Sequence, residues 1–81
     1  MANNLHKALI STLIERRKEL GLSHARLANL AGVHRTAISH IESGKRNPTL
    51  LTCLKLAEAL NTSLAELLQV AESREAIGDT T

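Results

Sequence analysis

Punctuation constrains this chain more than any other feature. Gly21, Gly32, the run from Gly44 to Pro48, Asn61 and Gly78 divide its 81 residues into five stretches of helical length. The first runs from about Leu5 to Leu20, with Leu9, Ile10, Leu13, Ile14, Arg17 and Leu20 on one face at 3.6-residue spacing. Ser23 can cap a short second helix at about 24–31, which carries Leu27, Ala28 and Ala31 inward. A third, at about 34–43, places Ile38 and Ile41 in the core and stops at Gly44. Thr49 caps a fourth, roughly 50–60, with Leu50, Cys53, Leu54, Leu56, Ala57 and Leu60 expected to face inward. The fifth opens on Ser63-Leu64-Ala65-Glu66, a capping box in which Ser63 accepts from the N3 amide while Glu66 reaches back to the Ser63 N–H, and it extends to about Ala76.

Composition supports helices throughout. The chain is 43% apolar but contains no Phe, Tyr or Trp, so its core is built from aliphatic residues dominated by Leu and Ala, which suit helices better than sheets. A single all-α domain over residues 1–78, with 79–81 as a frayed tail, is the expected organisation. One cysteine, Cys53, cannot form an internal disulfide, and on an apolar helix face it reads as a small buried hydrophobe. There is no eighteen-residue apolar run to span a membrane. The N-terminal segment has Lys7 but neither an apolar stretch nor a small-residue cleavage site, so no signal peptide is expected.

The formal charge of +2 conceals an asymmetry. Residues 16–46 hold seven Lys or Arg against Glu19 and Glu42, a net +5, whereas residues 47–81 hold two against five acids, a net −3. Such a cluster is the footprint of a polyanionic partner, although a solvated basic face would have the same composition.

Spacing narrows the choice. The second and third helices join through a turn of about three residues, the connection of a helix-turn-helix. Counted from His24, a small residue (Ala28) occupies the fifth position, Gly32 the ninth, and Ile38 and Ile41 the fifteenth and eighteenth. Ala28 lets the helices approach, Gly32 permits a positive φ, and the two isoleucines pin the third helix to the core. Around that helix, Thr36, Ser39, His40 and Ser43 then point away from the isoleucines, with Arg35 at the flank. Arg reads guanine bidentately, Thr offers a hydroxyl and a methyl to thymine, and His donates or accepts, so Arg35, Thr36, Ser39 and His40 are the candidate base readers. Lys45, Arg46 and Asn47 follow directly and are placed to grip phosphate.

The stretch LSHARLANLAGVHRTAISHIESGKRNPTLLTCLKLAEALNTSLAELL, residues 22–68, strongly resembles the Cro/cI-type or XRE-type (lambda-repressor-like) helix-turn-helix domain of bacterial and phage DNA-binding proteins. With the first helix, the resemblance covers about three-quarters of the chain. It implies a five-helix domain that binds a palindromic operator as a homodimer, with the third helix in the major groove and the GKRNP segment on the backbone. Phosphate contacts are accordingly expected of His24, His34, Ser43, Lys45, Arg46 and Asn47. Three residues depart from the pattern: His24 stands where a DNA-contacting Gln is usual, His34 where Ser or Thr commonly caps the third helix, and Arg26 where Glu would complete a capping box. These departures bear on which operator is read.

Arg17 lies near the centre of an apolar stripe and needs a buried partner or must snorkel. Glu42, flanking Ile38 and Ile41, is the available acid, and the family commonly pairs Arg and Glu at these positions. Leu67, Val70, Ala71 and Ile77 give the fifth helix more apolar surface than docking on its own domain requires, which suggests the dimer interface.

Other chemistries fit poorly. His34 and His40 are six apart on one helix and point in different directions, no second cysteine accompanies Cys53, and no metal or other cofactor is expected. Ser39 and His40 lack an ordered third member and an oxyanion nest, so an enzyme is not expected. The rival reading from another class is a protein-binding module of the same fold, an adaptor or antitoxin, using exposed Leu51, Val70 and Ile77. A whole protein of this kind, without an effector domain, would act by occupancy and concentration in a bacterial or phage-host cytoplasm, on the nucleoid when bound.

Overall fold

The computed structural model describes the backbone of residues 2–78 and the side chains of residues 4–76. Five helices follow in order, α1 (Ala2–Glu19), α2 (His24–Ala31), α3 (Arg35–Glu42), α4 (Leu50–Ala59) and α5 (Leu64–Gly78), and no strand occurs among the described residues. The boundaries follow the local chemistry. Ser23 and Thr49 adopt extended backbone and accept from the amides of Arg26 and Thr52, so each satisfies one of the unpaired donors that open a helix. Gly32 ends α2 at φ +70°, a left-handed conformation that a β-carbon would strain, and Val33 N–H then donates to Ala28 O at 3.0 Å. Asn61 takes the same role after α4 at φ +57°, with Thr62 N–H on Ala57 O at 3.0 Å.

The helices close around one aliphatic core. Leu9 and Leu13 of α1, Leu27 and Ala28 of α2, Ile38 and Ile41 of α3, Leu56, Ala57 and Leu60 of the α4 region, and Leu67 and Ala71 of α5 are buried together. Thr12 is the buried polar residue among them, and its hydroxyl donates to Ala8 O at 2.7 Å. The longest packing seam joins α1 to α5, while α2 packs on both α3 and α4. Arg16 ties α1 to the end of α4 by donating from Nε to Leu60 O at 3.1 Å and from Nη2 to Asn61 O at 3.4 Å, where a cation favours the negative end of the helix.

Four expectations are corrected. Leu50 and Leu54 face outward, 68% and 47% exposed, because Cys53, Leu56, Ala57 and Leu60 already fill the arc of α4 that its neighbours cover. Leu20 is likewise exposed, since α1 ends at Glu19 and the chain turns away. The capping box forms by half. Ser63 Oγ accepts from Glu66 N–H at 3.1 Å, but the Glu66 carboxylate accepts from the Thr62 hydroxyl at 2.8 Å, the nearer donor to its side chain. Finally, Leu67 and Ala71 are buried inside the monomer against α1, so they are not free to form a dimer surface. Val70 is exposed, the Ile77 side chain and residues 79–81 lie outside the described residues, and α1 starts at Ala2 rather than near Leu5.

Candidate nucleic-acid interface

The site is assembled on α3 and the loop that follows it. Ile38 and Ile41 anchor α3 in the core, and that fixes the helix's rotation. Arg35 and Thr36 consequently stand exposed in its first turn, with Ser39 and His40 half-buried one turn further on. His34 occupies the N-cap position in extended backbone without a side-chain cap hydrogen bond, so its ring is not used in holding the helix start. At the other end, the loop folds back onto one carbonyl: the N–H groups of Lys45 and Arg46 donate to His40 O at 2.9 and 3.2 Å, and Ser43 Oγ donates to the same oxygen at 3.2 Å. The backbone of the loop is thereby held while the side chains of Lys45, Arg46 and Asn47 remain exposed.

A cleft of about 490 Å³ lies between the α2–α3 turn and this loop. It brings together His34, Thr36, Arg46 and Asn47, and α4 adds Thr49 and Thr52. Arg35, Ser39, His40, Ser43 and Lys45 lie outside that cleft.

The acids of the basic region are held elsewhere. Arg17 grips Glu42 bidentately, Nε to Oε2 at 2.7 Å and Nη2 to Oε1 at 2.9 Å, and its Nη1 donates to Leu22 O at 2.8 Å. Both side chains are largely buried, at 12% and 13% exposure. His24 Nε2 also sits 2.9 Å from Glu42 Oε1, so this ring is turned toward the interior pair even though about a third of it remains exposed. Burial alone would push the Glu42 carboxyl up, but the hydrogen bonds and charges of Arg17 and His24 outweigh it and hold the group below its ordinary range, as a carboxylate. Glu19 sits 3.8 Å from Arg16. Among the described residues, Arg26, Arg35, Lys45 and Arg46 have no ion-pair partner. The exposed side of α2, α3 and their loop therefore carries uncompensated positive charge.

A helix-turn-helix family model matches residues 13–67. The chain belongs to the XRE-type helix-turn-helix family of transcriptional regulators. An uncharacterized HTH-type transcriptional regulator of Haemophilus influenzae is 44% identical over 63 residues, 78% of this chain and 64% of that protein. The control protein C.SmaI of Serratia marcescens is 51% identical over 47 residues, 58% of this chain and 56% of its own. The matches thus span less than two-thirds of either relative. Among solved structures, the restriction-modification controller protein C.AhdI of Aeromonas hydrophila superposes with a TM-score of 0.70 at 37% identity, covering 83% of this chain and 98% of that one. The clp gene regulator ClgR of Corynebacterium glutamicum gives 0.83 at 25% identity, covering 94% and 81%.

Within this helix-turn-helix domain, two features go beyond what the sequence shows. The family resemblance directs His24 to phosphate, whereas the structure turns its Nε2 to Glu42. Thr49 and Thr52 open α4, yet they also line the same cleft as Arg46 and Asn47, joined through their hydroxyl oxygens at 3.0 Å. Thr49 following closely on a basic loop is the available clue. No group of three or more His, Cys, Asp or Glu that could hold a metal occurs among the described residues, and none of their helices is long and apolar enough to cross a membrane.

Proposed function

We propose that this chain is a sequence-specific DNA-binding transcription regulator that occupies a palindromic operator as a homodimer, with α3 in the major groove. One observation carries the reading: the acids of the basic region lie against Arg17 and Arg16, while Arg35 in α3 and Lys45 and Arg46 in the loop directly after it stand exposed without an ion-pair partner among the described residues. Arg35, Thr36, Ser39 and His40 read base edges, because α3 exposes them beside suitable donor and acceptor chemistry. Ser43, Lys45, Arg46 and Asn47 hold the backbone, with His34 at the start of α3 and the exposed edge of His24 contributing to the same footprint.

The control protein and restriction-modification controller among its relatives favour regulation by occupancy, with the protein's own concentration setting the response. The setting is the cytoplasm, on the nucleoid when bound. Titrating short duplexes at several salt concentrations tests the reading. Affinity should fall steeply as a power of the salt concentration, as phosphate contacts displace condensed counterions. Salt-independent binding, or none, would contradict it.

A further inference from the structure

We propose that His24 engages DNA as an imidazolium, so that each subunit takes up a proton on binding and the chain holds DNA more tightly as pH falls from about 8 to about 6. This rests on the reading of the surface around α3 as a DNA interface and adds to it the control of that surface by protons.

The Glu42 carboxylate decides which ring nitrogen carries a hydrogen. An ionised carboxylate only accepts, so the 2.9 Å contact between His24 Nε2 and Glu42 Oε1 requires that Nε2 be the protonated nitrogen of a neutral ring. Glu42 stays ionised through the neutral range, because the hydrogen bonds and charges of Arg17 and His24 hold its carboxyl below the ordinary value. A neutral His24 therefore has its one hydrogen committed inward, and Nδ1 keeps a lone pair. Among the described residues Nδ1 has no hydrogen-bond partner and is not buried. A lone pair offers nothing to a phosphate oxygen, which is itself an acceptor. Protonation turns the same atom into a charged donor without breaking the bond to Glu42.

The charge balance of the cluster points the same way. Arg17 of α1 and Glu42 of α3 cancel each other, and these are the charged groups joined to the ring. The remaining charges on the packed elements are placed elsewhere. Glu19 is against Arg16, Lys18 and Arg26 are exposed, and Lys55 and Glu58 of α4 share a groove with Leu30 and Ala31 at the far end of α2. The trio is thus neutral with a neutral ring and gains one positive charge with an imidazolium. Glu42 is the last residue of α3, directly before Ser43 and the basic loop, so the added charge stands within about one Debye length of a phosphate held by Ser43. Phosphate favours the protonated ring, the complex then holds more protons than the free chain, and affinity rises as pH falls.

Titrating the full chain and its His24→Gln variant against a short random-sequence duplex at constant salt, in steps from about pH 8 to about pH 6, tests this. Glutamine keeps an N–H for Glu42 but has no proton to gain. Taking the ratio of the two dissociation constants at each pH cancels the contribution of the other histidines, His34 and His40 among them. The affinity of the natural chain relative to the variant should rise about threefold or more over that range, and by less at high salt. Calorimetry at neutral pH in two buffers of different ionisation enthalpy should show proton uptake on binding that is smaller in His24→Gln. Far-UV circular dichroism confirms that both proteins are folded at each pH. A ratio that stays flat or falls on acidification, or equal proton uptake by the two proteins, would overturn the proposal, and salt-dependent binding by both would then leave the DNA reading intact. Absence of duplex binding at every pH would remove the two together.

Discussion

Glu42 accepts two hydrogen bonds from Arg17 and faces His24, so one carboxylate joins α1, α2 and α3 at the point from which α3 projects. Removing Arg17 strands that carboxylate in a largely buried position and also frees Leu22 O. Arg17→Ala should therefore cost about 3 kcal/mol, whereas the exposed Lys18→Ala should stay within about 0.5 kcal/mol. Denaturant midpoints of the two variants, with equal slopes, check this. The pair also sets a pH dependence. Its partners hold the folded carboxyl below the ordinary 4.5, so the stabilisation is complete above that value and is lost as pH falls through the depressed folded value. The stability difference between the natural chain and Glu42→Gln should shrink as pH falls below about 4.5, other carboxylates cancelling in the comparison. A difference that grew over that acid range would contradict the assignment. Arg17 is legible in the sequence as a residue in need of a partner because it interrupts an apolar stripe. The turn of His24 toward that partner is not, because it depends on how closely α2 approaches the end of α3.

The helices themselves are legible because caps and stops are local: Ser23, Gly32, Thr49 and Asn61 each act on atoms within a few residues. Facing is decided elsewhere. The apolar arc of α4 is wider than the surface its neighbours cover, and sequence alone does not say which edge stays open, so Leu50 and Leu54 belong to an inward stripe by spacing and yet stand outward. Conversely, the apparent surplus on α5 is the seam that α1 requires, and Leu67 and Ala71 are enclosed there. The role proposed for the loop after α3 depends on its backbone being held to His40 O while its side chains are exposed. Arg46→Ala should lower affinity by a similar factor on every duplex and reduce the salt slope by about one unit for each phosphate it no longer neutralises. An altered sequence preference with the slope intact would move Arg46 into the groove.

At the scale of the whole molecule, α3 has only eight residues, so on the proposed reading few of its side chains would meet bases and two-fold pairing would double what is read. The operator should then be two-fold symmetric, with half-site centres about one helical turn of DNA, roughly 34 Å, apart. The positive region at 16–46 is legible from its charge count, but which of its cations are paired is not: Glu42 lies against Arg17 and Glu19 against Arg16. Recovering bound sequences from a pool of random duplexes, with the natural chain and with Arg35→Ala side by side, tests sequence reading by α3 most directly. The expected result is a palindromic motif for the natural chain. With Arg35→Ala, discrimination should be lost at one base pair per half-site, worth about 1 to 3 kcal/mol, and binding to random DNA should be nearly unchanged. Recovery of no motif, or of the same motif at the same stringency by both proteins, would contradict base reading by Arg35.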